Sequence, residues 1–265
     1  MKFKKILFAF TAVILSFTAI QNAAAAGNTK SWYCVRNKEH KQPVTDADMR
    51  YIENYNGYYI DKNHSDSCEE KVIYLTFDAG YENGNVEKIL DTLKAENVKG
   101  AFFILENLIV RNTELVKRMA DEGHTICNHT AKHKDMTKCC SINEFKTELE
   151  NLEKIYSQYT GKEMSKYYRP PEGKFNEETM KYASELGYKT IFWSLAYADW
   201  DNNKQMSATE AKAKILDNIH NGAIILLHPT SATNAQILGE VIRELKNQGY
   251  KFSTLDELTL ESAEK

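Results

Sequence analysis

An aspartate ends the apolar run Val72-Ile73-Tyr74-Leu75-Thr76-Phe77-Asp78-Ala79-Gly80, and about fifty positions later two histidines stand four apart in Asn128-His129-Thr130-Ala131-Lys132-His133. A carboxylate at a strand tip two residues before a glycine is either a turn-former or a base that takes a proton from water. Histidines at i and i+4 on helical backbone share a face and can bind one cation; the plainer alternative is two packed or solvated imidazoles. His228 closes the apolar run Ala223-Ile224-Ile225-Leu226-Leu227 as Asp78 closes its own. An imidazole there is either a satisfied core residue or an acid working near neutral pH. Arg169 precedes Pro170-Pro171, which stiffen the turn, and a guanidinium near Asp78 would hold it ionised and oriented. In Asp199-Trp200 the carboxylate could orient His228, and the indole could wall a sugar site. Together these are groups for acid–base hydrolysis beside a metal-binding pair.

From Val72 onward, strands alternate with helices. Strands are expected at Val72–Phe77, Ala101–Leu105, Thr125–Cys127, Tyr167–Arg169, Lys189–Trp193, Ala223–His228 and Lys251–Thr254. Helical faces are marked by Val86, Ile89, Leu90 and Leu93, then by Leu115, Val116 and Met119. Ser141…Glu144 and Ser207…Glu210 read as capping boxes, the first opening a helix with Phe145, Leu149, Leu152 and Ile155 on one face, the second a helix to about His220. Further helices are expected over about 177–186 and 235–247. Helical crossovers between strands mean a parallel sheet. An open doubly wound sheet gathers its site at one switch point, whereas Asp78, His129, Arg169, Asp199 and His228 follow five different strands. Loops from so many strands converge when the sheet closes on itself. The expected fold is therefore α/β, a distorted seven-stranded (β/α)7 barrel over 71–260 with an irregular N-terminal extension over 27–70.

Residues 1–26 read as a secretion signal: a head with Lys2, Lys4 and Lys5, an apolar Ile6–Ile20, and small residues Ala23–Ala26 before Gly27. Retention as an uncleaved anchor is the alternative, and either way the protein is expected outside the cytoplasm. Cleavage leaves 239 residues and takes the net charge from −3 to about −6, which argues against a nucleic-acid partner. No protein partner is indicated, and a monomer is expected. Fifteen tyrosines and three tryptophans suit stacking on sugars, although packing accounts for such residues equally well. Of five cysteines at least one is unpaired. Cys34 and Cys68 in the extension could form a disulfide, or all five could be free thiols.

Five ordered motifs over about Lys71 to Leu258 resemble the polysaccharide deacetylase superfamily, the carbohydrate esterases with a NodB homology domain. They are Thr76-Phe77-Asp78-Ala79-Gly80, His129-x-x-x-His133, Arg169-Pro170-Pro171-Glu172-Gly173, Asp199-Trp200 and Leu226-Leu227-His228. Tyr81-Glu82-Asn83-Gly84, Trp193–Trp200, Asn234-Ala235 and, upstream, Trp32, Gln42-Pro43 and Tyr58-Tyr59 are similar to the sporulation branch, the delta-lactam-biosynthetic de-N-acetylases. The resemblance implies Asp78 as general base, His228 as general acid, Arg169 as the residue orienting the base, and Asp199 as partner of the acid. It implies His129 and His133 as metal ligands, and Trp200, Tyr81 and Pro171 at the substrate. Zinc is the default cation for imidazole ligands. The implied reaction is de-N-acetylation of N-acetylmuramic acid in peptidoglycan glycan strands, as in spore cortex muramic delta-lactam, placing the protein at the cell or spore envelope. Two rival readings are a deacetylase of N-acetylglucosamine in peptidoglycan or chito-oligosaccharides, and a catalytically silent glycan-binding protein. The family's first motif carries a second aspartate, a metal ligand, where this chain has Ala79, and a methyl group ligates nothing. Cys127, two residues before His129, is a remote substitute.

Overall fold

The computed structural model describes residues 28–36 and 38–260; the segment expected to be a secretion signal, 1–26, lies outside them. Among the described residues there are ten strands: β1 Lys30–Ser31, β2 Gly57–Tyr58, β3 Lys71–Ala79, β4 Ala101–Ile104, β5 Thr125–Asn128, β6 Tyr167–Tyr168, β7 Lys174–Phe175, β8 Lys189–Ile191, β9 Ala223–Leu227 and β10 Tyr250–Ser253. The helices are α1 Val86–Ala95, α2 Glu106–Arg111, α3 Thr113–Asp121, α4 Ile142–Thr160, α5 Glu177–Glu185, α6 Ala208–Leu216, α7 Ala232–Asn247 and α8 Leu255–Leu258.

The expected parallel sheet is present, and β3 is its hub. β10 pairs with the first half of β3 and β4 with the second, while β9 overlaps both stretches and therefore lies on the opposite edge. From β4 the sheet continues through β5, β6 and β8, all parallel. The chain beyond β8 then reaches β9: Leu195 bridges Ile225, and the Ser194 N–H donates to the Ile224 carbonyl at 3.0 Å. The sheet thus curls until its ends meet, as the dispersal of site residues over five strands required.

Pleat alternation sorts β3 into two faces. Ile73, Leu75, Phe77 and Ala79 join the apolar layer under the helices, with Val86, Ile89 and Leu238. Val72 and Tyr74 face the barrel interior with Ala101, Phe103, Cys127 and Ile191. Asp78 belongs to this inward row, above an apolar floor.

Three expectations about the elements need correction. The stretch marked by Leu115, Val116 and Met119 is preceded by a separate helix, α2, because Asn112 leaves helical geometry at φ −134°. The Ser141 box is one-sided: the Ser141 side chain accepts from Glu144 N–H, but the Glu144 carboxylate accepts from Cys140 N–H at 3.0 Å. The helix opened by Ser207 ends at Leu216, short of His220.

The N-terminal extension is less irregular than its composition suggests. β2 pairs in parallel with β8, and Ile60 bridges Ala223, so the extension fills the gap between β8 and β9 near the barrel floor. β1 pairs with β7, and Trp32 packs on Phe192 with ring centroids 4.5 Å apart while its indole N–H donates to the Trp193 carbonyl at 2.8 Å. Of the two cysteine readings, the free-thiol one holds: all five are unpaired, and the Cys34 thiol lies 3.3 Å from the Trp193 carbonyl.

Candidate active site

The carboxyl ends of the strands open into a cleft of about 640 Å³ lined by Asp78, Tyr81, His129, His133, Trp193, Trp200 and His228, among others. Asp78 ends β3 facing inward, and the Arg169 guanidinium holds it, Nη1 donating to Asp78 Oδ1 at 2.7 Å. Arg169 is 0% exposed and spends its other donors on the Ile191 carbonyl (2.9 Å), Thr76 Oγ1 (2.9 Å) and the Phe192 carbonyl (3.2 Å). Its guanidinium also lies 4.1 Å from the centroid of Phe103. Four of its five N–H groups are thus engaged within the protein and the side chain is fully buried, so its part is to fix Asp78. Burial alone would raise the Asp78 pKa, but the Arg169 charge and hydrogen bond, with the His228 imidazolium beyond, outweigh it and hold the carboxyl below its usual range.

His228 faces the cleft from the end of β9. Its Nδ1 lies 2.7 Å from Asp199 Oδ1, so Nδ1 carries the hydrogen. Asp199 is itself buried and anchored: its Oδ2 accepts from the His228 backbone N–H at 2.8 Å and from Asn234 Nδ2 at 2.6 Å. Tyr197 O–H in turn donates to Asn234 Oδ1. Burial alone would lower the His228 pKa, but the hydrogen bond and charge of Asp199, with Asp78 beyond, carry it upward. The two groups are thus driven apart in the sense acid–base work requires, an ionised carboxylate and a protonated imidazole.

The backbone of His129–His133 is not helical as expected, yet the two rings still come together. The segment is a loop in which Thr130 (φ 68°) and His133 (φ 56°) are left-handed, and Asn128 Oδ1 accepts from Thr130 N–H at 2.9 Å. That turn brings the rings to 5.0 Å between centroids at 72°. The Asn128 side chain supplies a local alternative to helical bonding, which periodicity does not register.

The donor set bears on whether a divalent cation suits the site. His129 Nδ1 lies 2.8 Å from the Arg169 carbonyl oxygen, which can only accept, so Nε2 carries the lone pair. Burial pulls the His129 pKa down to about 4, leaving the ring in the neutral form that ligates metals. That Nε2 faces Asp78 Oδ2 at 3.5 Å, two acceptors opposed in a way that a proton or a cation between them stabilises. Among the described residues no group of three His, Cys, Asp or Glu is disposed to hold a metal. The site therefore fits a cation held by two imidazoles, and departs from a closed three-ligand set. Ala79 is 0% exposed in the apolar layer under the helices. Cys127 is no substitute, being buried in the barrel interior with its thiol pushed up to about 12 by desolvation.

At the cleft rim Trp200 is 62% exposed, 6.2 Å from the His228 ring, and Tyr81 O–H accepts from Asn202 Nδ2 at 2.6 Å. Pro171, expected at the substrate, is buried and does not line the cleft; its neighbours Glu172 and Gly173 do. Gly173 has φ 64°, and a Cβ there would come within 2.9 Å of Trp193, so the turn requires glycine. With His133, Glu172 (φ 56°) makes a second left-handed non-glycine residue lining the cleft. Such backbone recurs at functional sites because the surrounding structure must hold it. Sequence reasoning had not assigned roles to Thr76, Trp193, Glu172 or Asn234. Asn234 and Asn83 were visible as branch markers; Asn83 Nδ2 donates to the Thr230 carbonyl at 2.9 Å and ties two rim loops together.

A curled parallel sheet with an arginine-held aspartate, a carboxylate-held histidine and a histidine pair at its mouth defines a class of hydrolase. The polysaccharide deacetylase family profile matches residues 65–191. The chain belongs to that family, within carbohydrate esterase family 4. It is similar to the peptidoglycan-N-acetylmuramic acid deacetylase PdaA of Bacillus subtilis, with 39% identity covering 94% of this chain and 93% of that protein. The solved PdaA structure matches with a TM-score of 0.81 at 38% identity, covering 87% of this chain and 97% of that one. A peptidoglycan-N-acetylglucosamine deacetylase of Bacillus cereus is 34% identical over 73% of this chain and 70% of its own. A family 4 pseudoenzyme of Bacillus anthracis has a TM-score of 0.65 at 28% identity, covering 72% of this chain and 66% of that one.

Proposed function

We propose that the protein removes the N-acetyl group from N-acetylmuramic acid in peptidoglycan outside the cytoplasm, releasing acetate. The observation that carries this reading is the opposition across one cleft of Asp78, ionised by Arg169, and His228, kept protonated by Asp199. Asp78 takes a proton from the attacking water, and His228 gives one to the amide nitrogen as the C–N bond breaks. A divalent cation, zinc by default, would be held by His129 and His133 and would polarise the acetyl carbonyl. The freed amine stands on the same sugar as the lactyl carboxyl, set for delta-lactam closure. Trp200 and Tyr81 present exposed ring faces on which sugars stack.

Acetate release from peptide-free muramoyl glycan, with and without a chelator, tests this directly. Release that a chelator suppresses and zinc restores is expected; release indifferent to chelator would remove the metal. Release from N-acetylglucosamine oligomers but not from the muramoyl glycan would favour the glucosamine reading. A second reading, a silent glycan-binding protein, is favoured by the methyl group at Ala79, and it predicts glycan binding with no acetate even in excess zinc.

The alkaline limb of the pH–rate profile follows from His228. Its protonated form is the working one, so activity falls as pH rises through its elevated pKa. Asp199→Asn removes the cause of that elevation and leaves burial to dominate. The alkaline limb is then expected at lower pH, with kcat down roughly a hundredfold or more. An unmoved limb would mean that His228 is not the acid.

A further inference from the structure

The residues lining the catalytic cleft include no lysine or arginine, and Arg169 is sealed behind Asp78. Beside the cleft runs a second groove of about 390 Å³, sharing Leu105 with it and formed by α2 along its length and the loop after β5. Arg111 and Lys132 line this groove with one carboxylate, Glu106; a second, Glu148, stands outside the lining and accepts from the Lys132 backbone N–H at 3.4 Å, not from its ammonium. Arg111 is braced toward the catalytic loop: its Nε donates to Asn107 Oδ1 at 2.9 Å, and Asn107 Nδ2 donates to the carbonyl of Gly80, two residues past Asp78, at 3.1 Å. Among the described residues the two terminal nitrogens of Arg111 make no hydrogen bond. Both cations are exposed, and neither has an acidic partner within ion-pair distance among the described residues. Nearby lysines differ, Lys134 pairing with Glu144 at 2.9 Å and Lys174 with Glu172 at 2.6 Å.

We propose that Arg111 and Lys132 form a subsite for carboxylates carried by the glycan. The inference rests on the peptidoglycan reading and deepens it. A muramoyl residue carries an acid on its lactyl ether, either free or extended by a stem peptide, whereas N-acetylglucosamine has none. The acetyl-cleaving centre offers that acid no lysine or arginine, and its charged imidazole, His228, is engaged by Asp199 and in the proposed reaction serves the amide nitrogen. Discrimination between the two sugars therefore falls to the neighbouring groove, where a braced guanidinium and an unpaired ammonium meet a carboxylate.

The test compares wild type with an R111Q/K132Q double variant on three glycans: peptide-free muramoyl glycan, the same glycan with its lactyl carboxylates converted to primary amides, and an N-acetylglucosamine oligomer. Acetate release is followed, and equilibrium binding is measured in parallel on an Asp78→Asn background, which does not depend on turnover. Two exposed charge pairs give an expected preference for acid over amide of about tenfold at low salt, shrinking as salt rises. The double variant is expected to bind acid and amide equally. A wild type that binds both equally, or a variant that weakens both alike, overturns the subsite. Muramoyl glycan bearing stem peptides separates the sources: stronger binding than the peptide-free form assigns the groove to peptide carboxylates, weaker binding to the lactyl group. If no glycan yields acetate while the acid preference stands, the proposed reaction fails and the subsite survives. If acetate is released with no acid preference, only the subsite falls.

Discussion

Asp78→Asn is expected to lower kcat for acetate release by roughly a thousandfold, the scale of a positioned general base, while glycan binding changes little. Two effects of the substitution must be separated. The asparagine can still accept from Arg169 Nη1, but it leaves the guanidinium buried without a counter-charge. Breaking a buried ion pair by removing one partner costs about 3–5 kcal/mol, and the remaining bonds from Arg169 to Ile191, Thr76 and Phe192 argue for the lower end. For a chain of this size that is a fall in Tm of roughly 5–10 °C, small enough for the variant to be assayed folded at 25 °C. Thermal unfolding and glycan binding therefore accompany the rate measurement. A folded, glycan-binding variant that still releases acetate at near the wild-type rate would remove Asp78 from the role of base.

The parts of this site that were legible in the sequence were those fixed by strand ends. Asp78 and His228 terminate apolar runs, and a parallel barrel delivers such termini to one rim, so type and place could be read together. Arg169 was legible through its prolines, but not its isolation from substrate. That depends on the carbonyls of Ile191 and Phe192, which arrive from another strand. The nearness of His129 and His133 has a different geometric cause from the one their spacing suggests, since a left-handed Thr130 does the work expected of a helical turn. Pro171 shows the converse failure. It was placed at the substrate, yet the structure buries it and presents Glu172 and Gly173 instead. Side-chain direction within a tight turn depends on one or two φ angles, and composition does not report them.

Ala79→Asp should change stability in opposite directions with and without metal. In chelator the variant is expected to melt lower than wild type, because Ala79 is 0% exposed in the apolar layer with Ile73, Leu75 and Phe77, and an unpaired carboxylate there is costly. With saturating zinc it should melt higher. Ala79 pairs in register with Ile104, whose carbonyl accepts from His129 N–H at 3.3 Å, so position 79 and the histidine pair share the tier at the barrel rim. The strand also ends there, freeing a longer side chain from strict alternation. A third protein ligand should tighten zinc binding by at least about tenfold, and binding to the native state alone raises stability in proportion to the logarithm of that gain. Thermal unfolding and zinc titration of wild type and variant check both signs. A variant destabilised equally with and without zinc would show that residue 79 points only into the core. A variant that gains zinc affinity would show that the wild-type site works with one ligand fewer than it can accommodate. The wild type then needs a higher free zinc concentration for activity than the variant, and the half-saturating zinc concentration for acetate release should fall in the variant by the same factor as the dissociation constant.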